Sequence, residues 1–108
     1  MGCPSIMFVC IAGKNDIAVA GLEAAVRDFG REQVLALPNP SGVDEHGWQK
    51  SLGRRAREIG VRVVKLEYLY GIENLTFLSL EYERLIRPHR FTSPKLYNIH
   101  FSLLPAYK

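Results

Sequence analysis

Ile6-Met7-Phe8-Val9-Cys10-Ile11 is an unbroken apolar run closed by Gly13. It shows no alternation of apolar and polar residues, so an extended segment with this sequence has two apolar faces and must be covered on both. That is the situation of a strand inside a parallel sheet. Parallel neighbours cannot be joined by a tight hairpin and need crossovers over the faces of the sheet, usually helical ones. The strand is expected over residues 6–11, with the first turn at its carboxyl end.

The rest of the chain alternates accordingly. After Asn15 or Asp16, either able to cap a helix, Ala18, Leu22, Val26 and Phe29 recur at helical spacing, with Glu23, Arg27 and Asp28 on the polar flank and Gly30 placed to end the helix. Residues 33–37 read as a second strand, and Pro38-Asn39-Pro40-Ser41-Gly42 opens a loop to about Gly47. Trp48, Leu52, Ala56 and Ile59 form a second helical stripe, and Gly60 suits its terminus. Val61 to Leu66 returns to the period-two pattern of a strand. Leu75 to Leu80 reads as another buried strand, though its apolar run also fits a short helix. Tyr82, Leu85 and Ile86 suggest a helical turn before Pro88, and residues 96–99 a last short strand. With right-handed crossovers, this order gives one α/β domain over residues 1–108, a Rossmann-like open and mainly parallel sheet with flanking helices. Ligands of such sheets lie beyond the carboxyl ends of the strands.

At 108 residues the chain makes one modest domain, and its 47% hydrophobic and 23% charged residues suit a folded protein. The formal charge of +3 is spread thinly. Its denser groups are Lys50, Arg54, Arg55 and Arg57 on the second helix and Arg84, Arg87, His89 and Arg90 further on. These could attract a phosphate, but a solvated helical face explains the first group equally well, and no nucleic-acid reader motif accompanies either. Cys3 and Cys10 do not form a metal-ligand cluster or a disulfide framework, so both are expected as free thiols, Cys10 within the first strand. The apolar stretch from Ile6 to Ala12 is too short to cross a bilayer and has no preceding basic segment. A cytoplasmic protein without membrane, metal or nucleic-acid partners is expected. The turn Ala12-Gly13-Lys14-Asn15-Asp16 lacks the three-glycine pattern of dinucleotide binding, which disfavours an oxidoreductase.

The residues with most chemical reach are Asn98 and His100. Two positions apart on an extended segment, they point to one side, with Ile99 opposed. An imidazole can move a proton near neutrality, and a carboxamide NH₂ can donate to an oxygen that becomes negative in a tetrahedral intermediate, so acyl transfer is the chemistry the pair serves best. Hydrogen bonding at a strand end is the structural alternative. A carboxylate normally orients such a histidine. Glu81 and Glu83 are the acids nearest in the sequence.

The segment Asn98-Ile99-His100-Phe101-Ser102-Leu103-Leu104-Pro105-Ala106-Tyr107-Lys108 resembles the active-site segment of the formyltransferases that use 10-formyltetrahydrofolate, a family acting on methionyl-tRNA, glycinamide ribonucleotide and amino sugars. The likeness extends over the whole chain: residues 6–13 resemble the family's first strand and turn, and Leu75 to Tyr82 the strand and loop lining its folate crevice. Gly13-Lys14-Asn15-Asp16-Ile17-Ala18-Val19 and Asp44-Glu45-His46-Gly47-Trp48-Gln49-Lys50-Ser51 are more similar to the sugar-nucleotide branch. By this resemblance His100 manages proton transfer as an amine attacks the formyl carbonyl, and Asn98 steadies the oxyanion. Phe77, Leu78, Ser79, Leu80, Glu81 and Tyr82, with Leu103, Leu104 and Pro105, hold the folate through backbone groups and apolar contact, although Leu103 and Leu104 are alternatively core anchors.

The resemblance also implies a glycine after Lys108, further strands and a catalytic aspartate, none of which this sequence contains. The sheet is thus expected to be incomplete on its carboxyl-terminal side, with Phe101 and Leu104 open to self-association. The expected function is that of a formyltransferase-like domain whose family reaction moves a formyl group to a primary amine, on a nucleotide-linked amino sugar, with the isolated chain inactive. The alternatives are a folate- or nucleotide-binding module and a half-enzyme assembling with a second chain.

Overall fold

A computed structural model describes residues 7–13, 15–38, 51–80 and 86–99. Strand β1 spans Phe8–Gly13, and helix α1 Asn15–Phe29. A single 3-10 turn, Arg31–Gln33, leads into β2, Val34–Pro38. Helix α2 covers Leu52–Ile59, β3 Arg62–Val63, and α3 Leu66–Leu69. Strand β4 is Leu75–Leu80, a 3-10 turn takes Pro88–Arg90, and β5 is Lys95–Ile99. The five strands form one sheet in the order β3-β2-β1-β4-β5, and every pairing is parallel. This is the open, Rossmann-like α/β sheet with flanking helices that the element order implies.

The uniform apolarity of β1 is used on both faces. Val9 and Ile11 meet Ala18, Leu22 and Ala25 of α1 and Leu52 and Ala56 of α2. Cys10 and Ala12 turn the other way, toward Leu66 and Leu69 of α3, Phe77 and Phe91. Burial raises the pKa of the Cys10 thiol far above its ordinary value, so it stays protonated. Phe91 lies edge-on to Tyr70, with ring centroids 5.1 Å apart, and tilted against Phe77 at 5.4 Å.

Local chemistry sets the helix ends. Helix α1 begins at Asn15 itself, and Asp16 sits in its first turn, where a carboxylate suits the positive helix end. Gly30, at φ 88°, donates its N–H to the Val26 carbonyl and ends α1 as expected. The Ser51 hydroxyl accepts from the Arg54 N–H at 3.2 Å and caps α2. Gly60, in the left-handed region at φ 81°, closes it.

Several expectations need correcting. Met7 lies outside β1, which starts at Phe8 and runs on to Gly13, and β2 starts at Val34 and takes in Pro38; Ile6 lies outside the described residues. Phe29 completes the helical stripe of α1 in sequence but, as the last residue of the helix, is 43% exposed. The strand expected over residues 61–66 shrinks to Arg62–Val63. The Val64 N–H still donates to the Ala36 carbonyl, but Leu66 and Leu69 then bury as a helical pair three apart, and the chain leaves the sheet edge to cross beneath it. Of the helical turn expected from Tyr82, Leu85 and Ile86, the first two lie outside the described residues and Ile86 is not helical; Pro88 starts a 3-10 turn, consistent with the preference of proline for first helical positions.

Ser93 anchors the start of β5. Its buried hydroxyl donates to the Leu75 carbonyl at 2.6 Å and accepts from the Lys95 N–H at 3.3 Å, while Lys95 Nζ reaches Asn74 Oδ1 at 2.6 Å. Ser93→Ala is expected to lower unfolding free energy by about 1–2 kcal/mol in urea, by loss of one buried and one half-buried hydrogen bond. An unchanged midpoint would show that the hydroxyl does not secure this strand.

Candidate functional site

The carboxyl ends of four strands stop on one level. Gly13 is level with Pro38 on one side and Leu80 on the other, and Leu80 is level with Ile99. From β1 the chain winds to β2 and β3 over one face, then returns across the sheet to β4 and β5. The order therefore reverses between β1 and β4, and the crevice for a ligand lies beyond Gly13 and Leu80.

Two glycines make room there for Leu80. At Gly13, φ is +151° and an added Cβ would stand 2.1 Å from the Leu80 carbonyl oxygen, so only glycine permits the two backbones to approach. At Gly21, inside α1, a Cβ would stand 2.5 Å from Leu80 Cδ1. The Leu80 side chain thus fills a notch in the helix while its carbonyl lies against β1. Gly13 was legible as a turn residue; its role beside Leu80 was not. The one sequence signal for the notch was an isolated glycine in an otherwise helical run.

The folate-binding stretch expected from the resemblance divides between the two faces. Leu78 and Leu80 lie on the α1 side, Phe77 and Ser79 on the other. Phe77 is 1% exposed and packed in the core, so its side chain is committed to packing. Ser79, buried at 4% exposure, is level with Ala12 and with Asn98. Asn98 is exposed and sits one residue before the end of β5, on the same face as Leu96 and Ser79. His100, Glu81, Glu83, Tyr82, Leu103, Leu104 and Pro105 lie outside the described residues, as do Phe101, Cys3, Trp48, Lys50 and Arg84. The expected meeting of Asn98 with His100 therefore lies outside the described residues.

The basic group on α2 is partly consumed within the fold. Arg55 donates from Nε to Glu23 at 2.8 Å and from Nη1 to Glu58 at 3.3 Å, and these hydrogen bonds hold its pKa above the ordinary value. Arg54 pairs with Glu58 at 3.4 Å. Arg87, His89 and Arg90 are exposed. Among the described residues no group of three or more His, Cys, Asp or Glu is placed to hold a metal, and no helix is long and apolar enough to cross a membrane.

No protein-family model and no curated protein matches the chain. Solved structures do. WlaRD, a sugar 3N-formyl transferase crystallised in the presence of dTDP and 5-N-formyl-THF, is 40% identical over 97% of this chain, with a TM-score of 0.86. The N-formyltransferase from Helicobacter canadensis, in complex with folinic acid and dTDP-3-aminofucose, is 42% identical over 94% of it, with a TM-score of 0.85. The chain resembles the amino-terminal part of sugar N-formyltransferases. It spans 39% and 38% of the length of these two proteins. The likeness read from the segment beginning at Asn98, including its sugar-nucleotide branch, agrees with these matches.

Proposed function

We propose that this chain carries the folate side of a formyl-transfer site, in which a formyl group passes from 10-formyltetrahydrofolate to the primary amine of a nucleotide-linked amino sugar. The observation that carries the reading is the place of Asn98: a carboxamide on the strand level that borders the crevice, within a sheet like that of enzymes crystallised with formylated folates. In this reading the Asn98 NH₂ donates to the formyl oxygen as it becomes negative, and His100 takes the proton released by the attacking amine. The backbone around Leu80 and the segment to Tyr82, with Leu103, Leu104 and Pro105, holds the pterin. A carboxylate orients such a histidine, and the resemblance to formyltransferases assigns that task to an aspartate that is not among these 108 residues. The 108-residue chain by itself is therefore expected to bind the folate without turning it over.

Calorimetric titration with 10-formyltetrahydrofolate tests binding; a flat trace at millimolar ligand would sink it. Formyl transfer to a dTDP-linked amino sugar, measured with and without a second polypeptide supplying the rest of a relative's length, tests the reaction. Asn98→Ala and His100→Ala are each expected to lower the complemented rate at least 100-fold. A rate unmoved by either would remove them from the chemistry.

The half-enzyme reading is favoured by β5, whose outer edge pairs with no strand among the described residues and whose Tyr97 is 54% exposed. An unpaired strand edge is a template for another chain. Sedimentation of the purified chain as a monomer that does not shift with the second polypeptide would dismiss this version.

A further inference from the structure

Two polar residues of the described chain are buried, Ser93 and Ser79. The fold itself accounts for Ser93, whose hydroxyl ties β4 to the start of β5. Ser79 enters no such bond among the described residues, yet none of their buried side-chain oxygens is left enclosed without a partner. Its hydroxyl is therefore reached from outside the packed core. A hydroxyl in a residue only 4% exposed that is still reached from outside is open to a hydrogen bond with water or with something seated against it.

Its position says what that something is. Ala12, Ser79 and Asn98 form one row across β1, β4 and β5, one residue short of the carboxyl ends. Residues level on neighbouring strands leave the same face and stand about 4.8 Å apart. Two hydrogen bonds of about 2.9 Å that meet at one carbonyl oxygen along its two lone-pair directions start from donors about 5 Å apart. The strand spacing thus matches a two-donor seat for a single oxygen. Resting on the formyl-transfer reading above, we infer that the Ser79 hydroxyl is a second donor to the formyl oxygen, beside the Asn98 carboxamide. Ser79 then recognises the formyl group rather than the pterin. The rest of the row, Ala12, offers no competing donor.

The test compares 10-formyltetrahydrofolate with tetrahydrofolate, which lacks the oxygen in question, by anaerobic calorimetry on the 108-residue chain. Ser79→Ala is expected to weaken the formylated ligand five- to tenfold and leave the unformylated one unchanged, the size of one lost hydrogen bond. Ser79→Cys, near in shape but a weak donor, should repeat that loss, and Ser79→Thr, which keeps the hydroxyl, should stay within about twofold of the parent chain. Equal weakening of both folates would make Ser79 a packing residue, and no weakening of either would give it no role; both outcomes overturn the inference while leaving folate binding intact. A parent chain that binds neither folate would overturn the formyl-transfer reading itself, and the role of Ser79 with it.

Discussion

Gly13→Ala is expected to destabilise the chain by about 3 kcal/mol or more. The methyl would meet the Leu80 carbonyl oxygen at 2.1 Å, a backbone atom that cannot rotate away, and alanine at φ +151° adds strain of its own. Either the end of β1 or the end of β4 must move, and both border the crevice. For a domain of this size each kcal/mol shifts the melting temperature by roughly 4–8 °C, so the midpoint should fall by more than about 12 °C. Folate binding should fall with it even at temperatures where the variant is folded, because the displaced strand ends are those that frame the ligand. A variant that melts within about 2 °C of the parent would mean that the two backbones do not approach this closely.

Phe77→Ala should be comparably damaging, at about 3–5 kcal/mol in urea unfolding. Its ring is 1% exposed within the second core cluster, and removing it strips Phe91 of a neighbour and leaves a cavity beside β4. The same experiment separates packing from recognition. Phe77→Leu, which keeps most of the volume, is expected to recover most of the stability and to bind folate like the parent. Normal stability with lost folate affinity in Phe77→Leu would return this side chain to the ligand and contradict its burial. Since small domains are stable by only about 5–15 kcal/mol in all, either of these alanine variants removes a large share.

Much of the fold could be read along the chain because its signals are local. The unbroken apolarity from Phe8 to Ala12 marks a strand covered on both faces, and the recurrence of Ala18, Leu22 and Val26 marks α1. Gly30 and Gly60 mark two helix ends. Reading failed where a local pattern competed with a distant demand. Val61 to Leu66 alternates like a strand, but only Arg62 and Val63 have a partner in β2; beyond them the chain must cross to β4, and Leu66 and Leu69 satisfy burial from a helical turn. Phe29 keeps helical spacing, yet spacing alone does not bury the last residue of a helix.

The site divides the same way. The Asn98-Ile99-His100 segment and its likeness to formyltransferases are sequence properties, and so is the branch likeness from Gly13 onward. The residues from Phe77 to Leu80 read as one binding stretch in sequence, but alternation splits them: Phe77 and Ser79 to one face, Leu78 and Leu80 to the other. Chain order, the longer strands and helices and the reactive side chains were already set by the amino-acid string, because periodicity, capping and residue chemistry act within a few positions. The pairing of Ser79 with Asn98 and the contact of Gly13 with Leu80 belong to the tertiary structure alone. Strand register joins residues 19 and 67 positions apart in the chain, and nothing local to either partner encodes that meeting.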